Sequence, residues 1–399
     1  MQKTVSAIAT ASLLIAASSV QAGGIDLTQI SYGTLFEEGR YLEFGLTVAA
    51  PDVKGSYPAA FGPFAGVSTG NMAKDMLGVS LAYKADINDR LSYALFFNTP
   101  YSADVSYGTG PYTGLDGRWK SRQATALLRY QFEQGFSVYG GLKYVRSKST
   151  ITIPDALIRG GLAAVAANPA TPPAQAAQAA ALAASPAGAL NYSATGDWDG
   201  RVAGILGVAY ERPDIALRVG LTYESGYTHK FDATETLPAV AGHPAFAPST
   251  TRIKMPQTVT LDFQTGIAAD TLLFGSLRWA EWSVWEVRPD GYNAIFGQNI
   301  TDFADDVWTW RLGVGRRIND NFSVFGRVGY EKSNGGISSR LAPTDGRKSI
   351  GVGGTYTRDN MKITAGLEYI KIGEAIDGSG TVFDGNDSLG FGLTVGYRF

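Results

Sequence analysis

The sequence predicts an all-β chain, a transmembrane antiparallel β-barrel of about 14 strands, and three observations support this prediction. Apolar residues alternate with small or polar residues along many segments of the chain. Short turns and long connections alternate between these segments. After residue 22, no apolar run is long enough to form a transmembrane helix.

The alternation is clearest at residues 389–399. One face of this segment is apolar and comprises Leu389, Phe391, Leu393, Val395, Tyr397 and Phe399, whereas the other comprises Gly390, Gly392, Thr394, Gly396 and Arg398. The same period of two recurs at 77–84, 215–224, 322–330 and 361–369, and it is typical of strands with two different faces. Soluble β-sandwiches and propellers also alternate in this way, but they rarely combine the pattern with an export signal and unequal loops.

The connections between the segments fall into two length classes. Short turns that contain Asn, Asp, Gly or Pro occur near residues 88, 134, 213, 270, 320 and 359. Long connections lie near 51–72, 99–118, 153–191, 230–251, 289–302, 333–346 and 376–386. Short periplasmic turns and long extracellular loops are typical of outer-membrane barrels. The predicted strands are 40–50, 73–85, 90–98, 119–132, 136–152, 192–211, 215–229, 252–268, 271–288, 303–317, 322–332, 347–357, 361–375 and 387–399.

The N-terminus predicts export across the inner membrane. Lys3 precedes an uncharged run of small and apolar residues at 7–20, and Val20-Gln21-Ala22 has the small-x-small pattern of a cleavage site. We therefore expect a signal peptide at 1–22, a short plug segment inside the lumen at 23–39, and the barrel at 40–399.

Composition argues against several other classes of protein. The chain has no cysteine and a formal net charge of −2, which gives no sign of a thiolate metal site or of nucleic-acid binding. Its two histidines are His229, near a predicted strand end, and His243, in a predicted outer loop. Both are expected to face solvent, away from any serine nucleophile. We expect no enzymatic activity, no metal site and no cofactor.

The connection 153–191 is dominated by alanine and interrupted by Pro169, Pro172, Pro173 and Pro186. Because alanine favours helix and proline breaks it, one or two short helices are expected here. The loop is either a variable surface insertion or an apolar landing surface for a hydrophobic ligand.

Strand parity predicts which side chains face the lumen. The candidate substrate-binding residues are Arg278, Arg311, Arg327, Phe96, Ile205, Phe274, Trp282 and Phe325. The arginines either form salt bridges in a water-filled lumen or hold a substrate carboxylate. Asn98 and Pro100 mark either an ordinary strand end or a break in strand pairing, because proline cannot donate to a β-ladder.

The order of several short motifs resembles the FadL/TodX-type outer-membrane transporters over most of the mature chain. These motifs are Ala22-Gly23-Gly24, Ala50-Pro51-Asp52-Val53, Asp86-Ile87-Asn88-Asp89, Phe96-Phe97-Asn98-Thr99-Pro100-Tyr101, Met255-Pro256 and Trp279-Ala280-Glu281-Trp282-Ser283. The resemblance implies a monomeric barrel in the outer membrane that passively imports hydrophobic molecules, most often long-chain fatty acids. Outer loops would capture the substrate, and it would leave sideways near the third strand.

The chain departs from this family pattern at its N-terminus. Family members carry a long hatch with an Asn-Pro-Ala element, whereas here only 23–39 precede the first strand and Asn168-Pro169-Ala170 lies in an outer loop. An aromatic-hydrocarbon channel of the same family and a general diffusion porin are the alternative functions.

Overall fold

The computed structural model describes residues 25–236 and 246–399 of the chain. The predicted signal peptide, Gly23, Gly24 and His243 lie outside the described residues. None of the helices within the described residues is long and apolar enough to cross a membrane.

Within these residues, fourteen antiparallel strands form a closed barrel, as the sequence predicted. The first strand pairs with the last, with Tyr41 opposite Arg398, so that the sheet closes on itself. The strands are β1 Tyr41–Asp52, β2 Met76–Asp86, β3 Leu91–Asn98 and Ser102–Ser106, β4 Asp116–Gln131, β5 Phe136–Ile153, β6 Tyr192–Arg212, β7 Leu217–Glu224 and Tyr227–Thr236, β8 Phe246–Met255 and Thr258–Ala268, β9 Thr271–Ala280, β10 Val307–Arg317, β11 Phe322–Glu331, β12 Arg347–Arg358, β13 Met361–Ile372 and β14 Asp387–Arg398.

Three predicted boundaries are wrong. The predicted outer connection 99–118 contains the strand Ser102–Ser106, which is the second part of β3. The predicted outer loop 230–251 is largely strand, because β7 continues to Thr236 and β8 begins at Phe246. Phe231 and Ile253 alternate inward on these extensions and pack in one buried aromatic cluster with Trp119. The predicted ninth strand 271–288 ends at Ala280 and is followed by a 3-10 turn.

The two faces of the wall differ as the alternation predicted. Leu142, Val202 and Leu206 point outward and keep 59–64% of their surface exposed, where lipid would cover them. Inward residues of the same strands, such as Lys143 and Ser147, are buried in the lumen. Two short turns use left-handed residues, Asp270 (φ 57°) and Asp359 (φ 51°), a conformation that aspartate tolerates.

The long connections pack together over the extracellular mouth. The alanine-rich connection folds into α1 (Asp155–Ala167) and α2 (Pro173–Ala183), which confirms the prediction of short helices. Ile158 and Leu162 of α1 and Leu182 of α2 join a large cluster of buried apolar residues from several loops. The connection after β9 contains α3 (Asp290–Phe296).

Smaller elements complete the connections. The 3-10 helices are Tyr32–Phe36, Ala59–Phe64, Gly110–Tyr112, Glu133–Gly135, Pro213–Ile215 and Trp282–Val284. The short extracellular strands are Glu286–Val287, Thr301–Asp302, Ile337–Ser338, Ala375–Asp377 and Val382–Phe383.

Candidate functional site

The third strand of the barrel is interrupted at residues 99–101. The backbone of β3 pairs with β2 only from Ser92 to Asn98, opposite Asp86 to Ser80. In the described chain, β2 therefore has no β3 ladder partner from Met76 to Val79. Because proline has no amide hydrogen, Pro100 fits this interruption, and the barrel wall has a gap in strand pairing here.

The N-terminal segment, residues 25–39, crosses the inner side of this gap. The Leu27 amide donates to the carbonyl oxygen of Pro100 (2.8 Å), and the Ser102 amide donates to that of Ile25 (2.9 Å). Thr28 also lies against Gly78 of β2, since a Cβ atom added to Gly78 would stand 2.5 Å from Thr28 Cγ2. The segment thus covers the gap from inside the barrel.

Asn98 holds the same segment with its side chain. Its Nδ2 donates to the carbonyl oxygen of Thr28 (3.1 Å), and its Oδ1 accepts from Gln123 Nε2 (3.2 Å). Asn98 is buried, so these hydrogen bonds satisfy a group whose burial would otherwise be costly. The two residues singled out in the sequence, Asn98 and Pro100, therefore both contact the N-terminal segment.

Charged groups of the barrel also anchor the segment. Asp26 forms an ion pair with Arg278 of β9, with Oδ2 and Nη1 3.0 Å apart. Tyr32 donates to Glu224 Oε1 (2.7 Å), whose other oxygen accepts from Lys143 (2.6 Å).

Phe36 of the same segment lies between two guanidinium groups. The Arg129 and Arg218 guanidinium carbons lie 4.3 and 4.8 Å from the centre of its ring, within the range of cation–π attraction. Phe36 is therefore held at β4 and β7, and the adjacent Glu37 forms ion pairs with Lys362 of β13 (2.9 Å) and Arg398 of β14 (3.2 Å).

An apolar cavity of about 80 Å³ lies on the extracellular side of Ile25. Arg118 is the one charged residue among the described residues that line it, and it pairs with Asp104 (3.0 Å). We name this space the apolar chamber. Its main apolar lining comes from Ile25, Val105, Trp119, Ile253, Trp285 and Phe303.

A polar cavity of about 60 Å³ lies on the other side of Asp26. We name it the polar chamber, and its charged lining residues are Asp26, Glu224, Asp262, Arg278 and Arg311. Tyr101, which packs edge-on against Trp282 (6.1 Å between ring centres), borders the polar chamber. Adjacent residues of the N-terminal segment therefore face different chambers, Ile25 the apolar one and Asp26 the polar one.

The candidate residues identified in the sequence lie at four different places in the barrel. Arg278, Arg311, Asn98 and Pro100 line the polar chamber, and Trp282 is buried in the aromatic cluster beside the apolar chamber. Phe96 and Ile205 pack around Tyr32, Leu35 and Phe36. Arg327 pairs with Glu368, and Phe274 packs against Phe325 (6.3 Å between ring centres), so these three lie outside both chambers.

Sequence reasoning missed the apolar chamber and misplaced one histidine. Trp119 and Ile253 had the inward parity that would have identified them as lining residues. His229 was expected to face solvent, which is wrong: its side chain is fully buried, and Nδ1 lies 2.7 Å from Asp199 Oδ2. The histidine is buried because β7 extends past the predicted rim and packs His229 beside Trp119 and Phe231.

The sequence of the chain matches one family of transport proteins. Residues 14–391 match the family described as outer membrane protein transport protein (OMPP1/FadL/TodX). The chain belongs to this family. It is accordingly a β-barrel transport protein of the Gram-negative outer membrane. No curated protein sequence matches it.

Several solved structures share the fold at low sequence identity. A FadL homologue of Pseudomonas aeruginosa is 15% identical with a TM-score of 0.69, covering 96% of this chain and 97% of its own. The toluene transporter TodX of Pseudomonas putida is 14% identical with a TM-score of 0.64, covering 96% and 98%. The toluene transporter TbuX of Ralstonia pickettii is 13% identical with a TM-score of 0.59, covering 96% and 97%.

Proposed function

We propose that this OMPP1/FadL/TodX family member is a channel for the passive uptake of small, uncharged hydrophobic molecules. The observation that carries the proposal is the apolar chamber, which lies inside the barrel and shares Ile25, Ala103 and Val105 with the region of the β3 interruption. Apolar cavities with few polar groups are typical of sites for hydrophobic ligands. The names of TodX and TbuX as toluene transporters support the same substrate class.

The proposed route runs from the extracellular loops through the apolar chamber to the membrane. A molecule would leave sideways between β2 and β3, where the ladder is interrupted and the N-terminal segment covers the gap. Movement of residues 25–28 would open this exit. The route needs no cofactor and no catalytic step, and we propose that the channel works as a monomer.

The charges in the lumen favour an uncharged substrate. Of the three proposed carboxylate-binding arginines, Arg278 is paired with Asp26 and Arg327 with Glu368. A carboxylate in the apolar chamber would lose its hydration without gaining an unpaired cation there, which costs several kcal/mol. An aromatic or aliphatic hydrocarbon bears no such cost.

Long-chain fatty acids are the second candidate, and Arg311 favours them. Its side-chain hydrogen bond within the described residues is to the neutral Gln29 Oε1 (3.3 Å), and it lines the polar chamber. A carboxylate there would gain charge-assisted hydrogen bonds. The fatty-acid hypothesis therefore places the headgroup at Arg311 and the tail beyond Ile25.

Uptake measurements test the proposal and separate the two candidates. Cells that lack their own hydrophobic-compound channels would be given labelled toluene or labelled oleate, with and without this protein in the outer membrane. Toluene uptake restored without oleate uptake supports the main proposal, and the reverse result supports the fatty-acid candidate. Restoration of neither, together with a large stable conductance in planar bilayers, would contradict both and favour a general porin.

A further inference from the structure

Seven outward-facing basic side chains form a cluster on one side of the barrel, which we name the basic patch. Its members are Lys120 and Arg122 of β4, Arg146 and Lys148 of β5, Lys230 of β7, and Arg252 and Lys254 of β8. They alternate with buried inward residues such as Trp119 and Ser121, so the patch lies on the outer surface of the wall.

The patch lies at the extracellular border of the apolar band. Towards the periplasm, the outward face of β5 continues as Tyr144, Leu142 and Val138, all exposed. Trp198 of β6 stands at the border, with the guanidinium carbons of Arg122 and Arg146 at 5.6 and 5.4 Å from its ring centre. Aromatic residues at this height are typical of the membrane interface in outer-membrane barrels.

The strand register places like charges directly opposite one another. Lys120 is opposite Lys148, and Arg122 is opposite Arg146. Lys230 is opposite Arg252 on the neighbouring hairpin. Like charges in such cross-strand positions are destabilising, and here two pairs lie between β4 and β5 and one between β7 and β8.

No ion pair among the described residues neutralises these charges. Within residues 25–236 and 246–399, none of the seven side chains has a carboxylate oxygen within the 4.0 Å of an ion pair. Asp197 and Asp232 are exposed nearby without forming such a pair. A strong external anion would therefore relieve the repulsion between the opposed cations.

We propose that the basic patch binds the phosphate groups of a phosphorylated glycolipid in the outer leaflet of the outer membrane. Arginine can hold a phosphate through two parallel hydrogen bonds, and lysine adds a mobile charge. With neighbouring strands about 4.8 Å apart, β4 to β8 span about 19 Å, which is wide enough for two phosphate groups. The acyl chains would lie against the apolar face below Trp198.

Native mass spectrometry of the full-length protein, folded in a neutral detergent, tests this proposal. The protein is mixed with lipid A carrying both phosphates, with lipid A from which the phosphates have been removed, or with inorganic phosphate. Two double variants, K120Q/K148Q and R122Q/R146Q, each remove one opposed pair, and the combined variant removes both. Heat-modifiable mobility on gels identifies the folded fraction that is analysed.

A matched control comes from the opposite wall. Lys348 of β12 is opposite Lys371 of β13, but Lys371 is also opposite Asp387 of β14. The K348Q/K371Q variant therefore removes the same number of outward lysines from a region with its own carboxylate.

We expect the wild type and the K348Q/K371Q variant to retain phosphorylated lipid A. We expect each double variant to bind it several-fold more weakly and the combined variant at least about tenfold more weakly. Equal binding of the dephosphorylated lipid, equal binding by the combined variant, or displacement by inorganic phosphate at the same concentration would overturn the proposal.

Discussion

Asp26 and Arg278 form an ion pair inside the lumen, although 252 positions separate them in the sequence. Their side chains are only 12% and 11% exposed. The pair fixes the N-terminal segment at the height where Ile25 faces the apolar chamber and Asp26 faces the polar chamber. It therefore holds the partition between the two chambers in place.

Neutralising one partner of this pair should loosen the partition. D26N or R278Q leaves the other charge buried and uncompensated, at a cost of about 3–5 kcal/mol. We expect either variant to show larger and more frequent conductance steps than wild type in planar bilayers.

The control for this experiment is D270N. Asp270 pairs with Arg317 at a periplasmic turn, where both side chains are more than a third exposed. The D270N variant should conduct like wild type, because exposed ion pairs contribute little to stability. Equal conductance of D26N, R278Q and wild type would contradict a role of this pair in closing the lumen.

A disulfide between positions 28 and 78 should block lateral exit. Thr28 contacts the inner side of Gly78, and the chain contains no other cysteine. T28C/G78C should take up hydrophobic substrate only after reduction, since the oxidised bond ties residues 25–28 over the gap. The measurement is uptake of labelled substrate with and without reductant.

The single variants T28C and G78C serve as controls for the disulfide. Reductant should not change their uptake. Full uptake by the oxidised double variant, with the disulfide demonstrated by mass spectrometry, would exclude an exit between β2 and β3.

Filling the apolar chamber should reduce uptake of uncharged substrates. Ala194 is buried and lines the chamber, so A194W places an indole where the substrate would lie. We expect a loss of toluene uptake of about tenfold or more, equivalent to about 1.4 kcal/mol.

A126W is the matched control for A194W. Ala126 points outward on β4 and is exposed, so a tryptophan there contacts lipid and leaves the lumen unchanged. Equal toluene uptake by A194W and A126W would show that the substrate does not pass through the apolar chamber.

Replacing Arg311 should distinguish fatty acids from hydrocarbons. R311Q removes the charged donor from the polar chamber, and hydrogen bonds to charged groups contribute about 1.5–3 kcal/mol. If a carboxylate binds there, the half-saturating oleate concentration rises roughly 10- to 100-fold, whereas toluene uptake stays unchanged.

R316Q provides the comparison on the same strand. Arg316 is exposed and bonds Thr271 Oγ1 (2.9 Å) outside the lumen. If R311Q and R316Q both leave oleate uptake unchanged, Arg311 does not bind the carboxylate.

The extracellular loops should loosen at strongly alkaline pH through Tyr112. Its hydroxyl bonds Asp377 (2.5 Å) and Thr381 (2.6 Å), and Arg340 Nε reaches the same Asp377 oxygen (3.1 Å). Burial, followed by the hydrogen bond to Asp377, raises the pKa of Tyr112 above its ordinary value near 10. Since the folded pKa is the higher one, the stabilisation is complete below about pH 10 and is lost as pH rises through the folded pKa.

Limited proteolysis by an alkali-tolerant protease checks this prediction. Cleavage of the wild-type loops should begin only above about pH 10. Y112F should be cleaved faster at every pH, because it leaves the buried Asp377 without this donor. Its cleavage rate should not increase above about pH 10. The same alkaline rise in Y112F would assign the effect to another tyrosine.

Strand parity predicted the direction of many side chains but not their partners. Arg278 and Arg311 were expected in the lumen, and both line the polar chamber. The sequence could not show that Asp26 neutralises one of them while the other is bonded to Gln29. The N-terminal segment has no alternating pattern, so nothing local fixes its height in the barrel.

Packing between strands also determines how far β7 and β8 extend. Residues 230–251 were predicted to form an outer loop that contains several prolines, whereas Phe231 and Ile253 are buried on strands beside Trp119. The apolar contact across three strands outweighs the local turn preference. His229 was misplaced for the same reason.

The sequence by itself determined the barrel, its fourteen strands and the side of the wall that most strand residues face. It could do so because a period of two and turn composition are local properties of the chain. Only the tertiary structure decided that the lumen is divided into an apolar and a polar chamber, that residues 25–28 cover the β3 gap, and which arginines are already paired. These features depend on closing the sheet around a segment distant in sequence, because closure determines which inward side chains meet and what volume is left between them.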